Sequence, residues 1–252
     1  MVNLKAAVFS IFPVAVFLAV WEALSLMGLF NPQFIPSPVS VGRELINSFA
    51  HENLLGDVFS SLGRVVIGFL IAAVLGIGLG LFVGANRKAK NFVMPLMELF
   101  RPVPPIAWIP IAILWFGLGD KPAYFLVFTA AFFPLFTNAV FGAINLEETY
   151  KRAAYSLGAQ KKYLFTDVLI PASLPHIFAG MKIGLGVSWM AVITAEMVGA
   201  QSGLGYMIQF NRLLLDTPKL VVGMVVIGVI GFSLNKLMVR AEHALAPWKN
   251  LQ

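Results

Sequence analysis

Six apolar runs set the terms on which this chain can fold: about 8–29, 64–85, 92–117, 122–144, 172–198 and 218–240. A bilayer's hydrocarbon core takes about 20 residues of helix to cross, so each run is long enough to span it. Backbone polar groups find no water there and must be satisfied within the segment, which makes helices the expected form. The expectation is an all-α membrane protein of about six transmembrane helices. Composition agrees: 59% of the residues are hydrophobic and 12% charged, with a mean hydropathy of +0.84, against roughly a quarter charged in a soluble domain. Lys5 precedes the first run as it would in a signal peptide, but the apolar stretch continues to about Phe30 with no small-residue cleavage pattern. We read it as an uncleaved anchor. With no internal repeat and no low-complexity tract, one membrane domain is expected over residues 1–252.

Loop charges orient the spans. Eleven cations fall on one side: Lys5, Arg87, Lys88, Lys90, Lys151, Arg152, Lys161, Lys162, Lys236, Arg240 and Lys249. Five fall on the other: Arg43, Arg64, Lys121, Arg212 and Lys219. The positive-inside rule places the richer side, with both termini, in the cytoplasm. The formal charge of +6 does not point to nucleic acid, because the cations form short clusters between apolar runs rather than one basic face. The absence of cysteine excludes disulfides, thiolate metal sites and cysteine nucleophiles, and His51, His176 and His243 are too scattered for a metal cage. His176, just past the fourth loop, reads as a membrane-interface residue.

Two runs have internal grammar. The third contains LFRPVPPIAWIP, with Arg101, Pro102, Pro104, Pro105 and Pro110, so the helix is expected to kink or split and to face the protein interior. In the second, Gly76, Gly80 and Gly84 recur every four residues and offer one face for close helix approach, although glycine is also simply common in membrane helices. Between the first and second runs, Val41, Leu45, Ile46 and Phe49 fall at helical spacing, as in a helix lying on the outer surface.

The segment YKRAAYSLGAQKKYLFTDVLIPASLP, 150–175, is a long basic stretch in a chain that otherwise avoids charge. Asn145 is a candidate cap for a helix opening with Glu147 and Glu148, acids favoured at the positive end of a helix dipole. Gly158 suits a left-handed stop. A second helical run, about Gln160 to Val168, carries Tyr163, Leu164, Phe165 and Val168, and Pro171 and Pro175 are expected to mark re-entry into the membrane. Two short helices joined at a glycine, with small and apolar residues outward, make a docking element; an ordinary solvated helical loop is equally compatible with these residues alone.

The spacing AA-x3-G-x9-V-x-I-P, formed by Ala153, Ala154, Gly158, Val168, Ile170 and Pro171, resembles the cytoplasmic-loop motif of ABC-importer permeases, written EAA-x3-G-x9-I-x-L-P. Arg152 stands where that motif has glutamate. FIPSP, SLGRVVIGF, LFRPVPPIAW, GMKIGLGVSW, TAEM and SGLGYMI resemble signatures of the branch that imports nitrate, sulfonates such as taurine, and bicarbonate, with the third fragment nearest the sulfonate and taurine members. The resemblance implies a type I ABC-importer permease fold in a bacterial inner membrane, working as a pair, most simply a homodimer. It also implies a separate cytoplasmic ATPase, with its ATP and magnesium, gripping about 147–171 through Arg152, Ala153, Ala154, Gly158, Tyr163, Phe165, Ile170 and Pro171. A binding protein outside would deliver substrate. The chain has no G-x4-G-K-[ST] loop, so it is expected to bind no cofactor and to catalyse no reaction itself.

Arg101, Lys182 and Glu196 are the ionisable residues deepest in the runs, and each is a functional candidate for that reason. Counted along the helices, Arg101 and Lys182 reach a similar depth, which would make a pathway electropositive for an oxyanion. Pro104 at the break and Trp189 are candidate lining residues, as is Trp108, and Glu196 a candidate gate near the outer mouth. The alternatives are structural: a Glu98–Arg101 pair, a Lys182 that snorkels to the interface, tryptophans in the core. A self-sufficient secondary transporter would need coupling-ion sites on broken helices and often an inverted repeat; a membrane enzyme would need acid clusters or a nucleophile with its base.

Overall fold

A computed structural model describes residues 4–28, 31, 33–146 and 148–245. All regular structure among them is helical: α1 (Leu4–Leu26), α2 (Pro38–His51), α3 (Leu54–Ala85), α4 (Arg87–Phe100), α5 (Ile109–Phe116), α6 (Asp120–Ile144), α7 (Glu148–Ser156), α8 (Lys161–Tyr163), α9 (Ile170–Gly199), α10 (Leu204–Leu213) and α11 (Thr217–Leu245). Four helices are long and apolar enough to cross a membrane: Leu54–Ala85, Asp120–Ile144, Leu164–Gly199 and Thr217–Leu245. A fifth candidate is the bent pair Arg87–Phe100 and Pro105–Phe116, and the apolar part of α1, Phe12–Leu26, is shorter.

The bundle is built on α3, α6 and α9. Glycines let α3 lie directly on α6: a Cβ added at Gly76 would sit 3.1 Å from Leu135 Cβ, one at Gly80 2.6 Å from the Phe136 carbonyl, and one at Gly84 2.6 Å from Ala143 Cβ. The four-residue glycine spacing is therefore a packing face. Gly142 and Gly180 do the same between α6 and α9. The interior so closed holds Leu126, Val127, Leu135 and Phe136 of α6 with Val65 of α3 and Val192 of α9, all nearly inaccessible.

Two boundaries differ from the sequence expectation. Helix α3 begins at Leu54 rather than 64, because Asp57, Ser61 and Arg64, which interrupt the hydropathy, all find polar partners and the helix continues through them. The prolines at 171 and 175 do not mark re-entry: the chain is helical without a break from Lys161 to Gly199. Residues Leu164–Leu169 form a π turn, with Ile170 N–H donating to the Phe165 carbonyl, and this wider ring takes up the irregularity that a proline without an N–H introduces. The second helical run of the basic segment is thus the foot of the fifth span.

The third run breaks as its prolines require, into α4, a 3-10 turn over Pro105–Trp108 and α5, with an 83° bend. It is not enclosed by its own chain, however. No residue of α4 is buried; Val93, Met94 and Met97 lean on Val83, Phe136 and Val140, while Phe92 and Leu99 point outward. Three closely packed helices, α3, α6 and α9, already fill the interior. Helix α2 matches the amphipathic stretch: Ser37 caps it through Ser40 N–H at 3.2 Å, Val41 is buried, Leu45 packs on the core, and Ile46 and Phe49 are exposed.

Candidate functional site

The break in the third span is a succession of tight backbone turns. Arg101 N–H donates to the Met97 carbonyl at 2.9 Å, Val103 N–H to Phe100 at 3.1 Å and Ala107 N–H to Pro104 at 3.0 Å. Pro104 is extended, with φ −66° and ψ 144°, and turns the chain into the 3-10 segment. Beside this turn a cavity of about 390 Å³ is lined by Arg101 and Trp108 from the broken span, Thr129, Thr137 and Asn138 from α6, and Ile183 from α9. Arg101 is the one ionisable residue among its described lining. Thr129 Oγ1 donates to the Leu126 carbonyl at 3.0 Å and Asn138 Nδ2 to the Pro134 carbonyl at 2.8 Å, which fixes both side chains on α6. A guanidinium with the Thr137 hydroxyl and the second Asn138 amide hydrogen, and no carboxylate among the described lining, is suited to the oxygens of a small anion. Among the described residues no ion pair joins Glu98 to Arg101.

Lys182 and Trp189 lie elsewhere. They line a smaller cavity of about 130 Å³ with Gly231, Asn235 and Met238 of α11. Lys182 Nζ pairs with Glu242 at 2.5 Å, and Trp189 is buried, its Nε1–H donating to the Ile227 carbonyl at 3.1 Å. Ile183 faces the Arg101 cavity while Lys182 and Trp189 face α11, so the two cations that similar depth suggested as neighbours sit on different sides of α9.

Glu196 is buried in a polar cluster that ties one end of α3, α6 and α9 together. Its carboxylate accepts from Arg64 Nη1 at 2.7 Å, from Ser61 Oγ at 2.9 Å and from Gly205 N–H at 2.9 Å. Arg64 also reaches Asp120 and both the carbonyl and hydroxyl of Ser202. Sequence reasoning placed Arg64 in an outer loop and so missed it. The available signal was Glu196 itself, since a carboxylate deep in a span needs a cation from another element.

At the other end of the bundle α7 starts at Glu148; Glu147 lies outside the described residues, as does Lys249. Helix α7 ends as its glycine predicts. Gly158 has φ +80°, its N–H donates to the Tyr155 carbonyl at 3.0 Å, and Ala159 N–H reaches back to Ala154 at 3.0 Å. Arg152, Ala153 and Tyr163 are exposed and Ala154 half-buried. Phe165 and Ile170 turn inward onto Leu146, Leu169 and Ile177, with Pro171 half-buried behind them, so these three root the segment while the others present it. No group of three or more potential metal ligands occurs among the described residues.

Comparison with known proteins bears on both ends of this arrangement. Residues 72–250 match the family described as binding-protein-dependent transport system inner membrane component. The chain is 34% identical to the taurine transport system permease protein TauC of Escherichia coli (strain K12), over 95% of this chain and 89% of that one. It is 31% identical to the nitrate import permease protein NrtB of Synechocystis sp., over 93% and 87%. Its fold superposes on a chain of the inward-facing MetNI methionine ABC transporter with a TM-score of 0.68 at 18% identity, covering 76% of this chain and 95% of that one. An all-helical bundle with a broken span, matched along most of its length by such permeases, leaves one assignment: the chain belongs to the binding-protein-dependent transport system inner membrane components, the permease subunits of ABC importers.

Proposed function

We propose that the Arg101 cavity is this chain's share of the route for a small oxyanion, and that α7 with the Gly158 turn is the piece a separate ATPase grips and moves. The observation that carries the first part is the cavity's chemistry: one cation, the Thr137 hydroxyl and the second amide hydrogen of Asn138, and no acid among the described lining, placed where the third span breaks. Taurine and nitrate, the compounds in the relatives' names, both present anionic oxygens. Because α4 carries no buried residue, a second copy of the chain facing this break would close the route around the substrate. The Lys and Arg distribution supports cytoplasmic termini, which puts α7 on the ATPase side and the Arg64–Glu196 end toward an external binding protein. A bacterial inner membrane fits this arrangement. No nucleotide-binding loop is present in the sequence, so ATP and magnesium belong to the partner.

A charge-assisted hydrogen bond contributes about 1.5–3 kcal/mol, or roughly 10- to 100-fold in an equilibrium constant. Reconstituted with its ATPase and binding protein, the Arg101→Gln permease is therefore expected to take up labelled taurine or nitrate at least about tenfold more slowly, with Arg101→Lys in between. Unchanged uptake by an assembled Arg101→Gln complex removes this cavity from the route.

A further inference from the structure

The route does not use the cavity of about 920 Å³ behind α7. One wall is the end of α3 and the first turn of α4, with Asn86, Arg87, Lys90 and Asn91; the other carries Tyr155 of α7 and Phe165 of the π turn. Two of its described lining residues are cations and none is an acid. Asn86 Oδ1 accepts from the Lys88 and Ala89 N–H groups at 3.0 and 3.3 Å, so the turn presenting the cations is held rigidly. Phe82 of α3 and Phe92 of α4, on the two helices that meet at this turn, have 58% and 75% of their surfaces exposed. Cations at the turn that ends a 32-residue apolar helix, with exposed phenyl rings on the helices either side of that turn, suit a bilayer interface: rings in the acyl region, cations at the headgroups.

We infer that this cavity seats the phosphate headgroup of an anionic phospholipid, with Arg87 and Lys90 as counter-ions and the Asn91 amide and Tyr155 hydroxyl as further donors. Basic pockets between helices at the inner surface recognise such headgroups, and each cation near an anionic surface adds about a fivefold gain in affinity. Helix α7 packs chiefly against the π turn, so a headgroup between α7 and α4 braces the segment that the ATPase moves. The choice of leaflet rests on the orientation proposed above; binding itself does not.

The test is native mass spectrometry of the detergent-purified permease–ATPase complex, with phosphatidylglycerol, phosphatidylcholine or inorganic phosphate added separately. The expected result is retention of phosphatidylglycerol but not phosphatidylcholine by the wild-type complex. Retention should fall at least about tenfold in Arg87→Gln/Lys90→Gln and partly in each single variant, while Lys236→Gln/Arg240→Gln, with the same charge loss on α11, retains it. Equal phosphatidylglycerol retention by both double variants overturns the proposal, as does displacement of the lipid by inorganic phosphate, which would mark a free-anion site. Loss of the ATPase from Arg87→Gln/Lys90→Gln with lipid retained also overturns it, because the cations would then belong to the protein interface. Since no readout requires transport, a failure here is distinct from failure of the Arg101 route.

Discussion

Arg64 on α3 and Glu196 on α9 form an ion pair at 2.7 Å with side chains 5% and 0% exposed. Asp120, the second acid on the same guanidinium, keeps 55% of its side chain in contact with the surroundings. One cation therefore joins a buried arm to an open one, and through Ser202 it also holds the turn that leads into α10. A charge taken into the bundle interior is tolerated because every nitrogen of the guanidinium has an acceptor.

Removing Arg64 leaves the buried Glu196 carboxylate without this cation, and removing Glu196 leaves the buried guanidinium with the largely open Asp120 as counter-ion. Arg64→Met and Glu196→Leu are each expected to destabilise the permease by about 3–5 kcal/mol, and Arg64→Lys by less. Thermal unfolding in detergent measures this; an Arg64→Met protein as stable as wild type would show that the pair does not hold these ends of α3 and α9 together.

The glycine face of α3 makes a sharper prediction through its own control. Gly80→Ala places a methyl 2.6 Å from the Phe136 carbonyl, a backbone atom that cannot swing away, whereas Gly78 has nothing within 4 Å of the corresponding position. Gly80→Ala should cost about 1–3 kcal/mol, and Gly78→Ala should be neutral or slightly stabilising through lower unfolded-chain entropy. Equal unfolding temperatures for the two would contradict the packing of α3 on α6.

Lys182 and Glu242 provide a coupling test. Lys182→Met is expected to lower stability by taking one cation from a largely buried carboxylate, and Lys182→Met/Glu242→Gln to recover at least about 1 kcal/mol of that loss. A double variant whose effect equals the sum of the singles would mean that the pair is not energetically coupled.

Gly158 sits at φ +80°, where a β-branched side chain is strained and asparagine is tolerated. Gly158→Val should weaken retention of the ATPase during co-purification, and Gly158→Asn should largely preserve it. Retention by Gly158→Val equal to wild type would remove the turn from the ATPase contact.

Local signals carried far in the sequence, and long-range ones did not. Four-residue glycine spacing marked the face of α3 that packs closely, without naming α6 as its partner, prolines foretold the break beside Arg101, and Gly158 foretold the end of α7, because each acts through its own backbone. Arg64 was illegible for the opposite reason: a charge reads as the end of an apolar run until its acceptors are known, and Glu196 stands 132 positions away. Lys182 was similarly underdetermined without Glu242, 60 positions on. Helix α10, ten residues mixing Gln209, Asn211 and Arg212 with leucines, is too short to register as a span and is fixed instead by capping from Glu196, Ser61 and Asp57.

The route can be tested directly because the chain has no cysteine, so any introduced thiol is unique within it. Thr137→Cys puts one on the wall of the Arg101 cavity. In the assembled transporter, a membrane-impermeant anionic thiol reagent should label this position, substrate should protect it, and the accessible side should switch when the ATPase is trapped with nucleotide. An introduced thiol that stays unlabelled from both sides, or whose labelling ignores substrate and nucleotide alike, would contradict the assignment of this cavity as the oxyanion route.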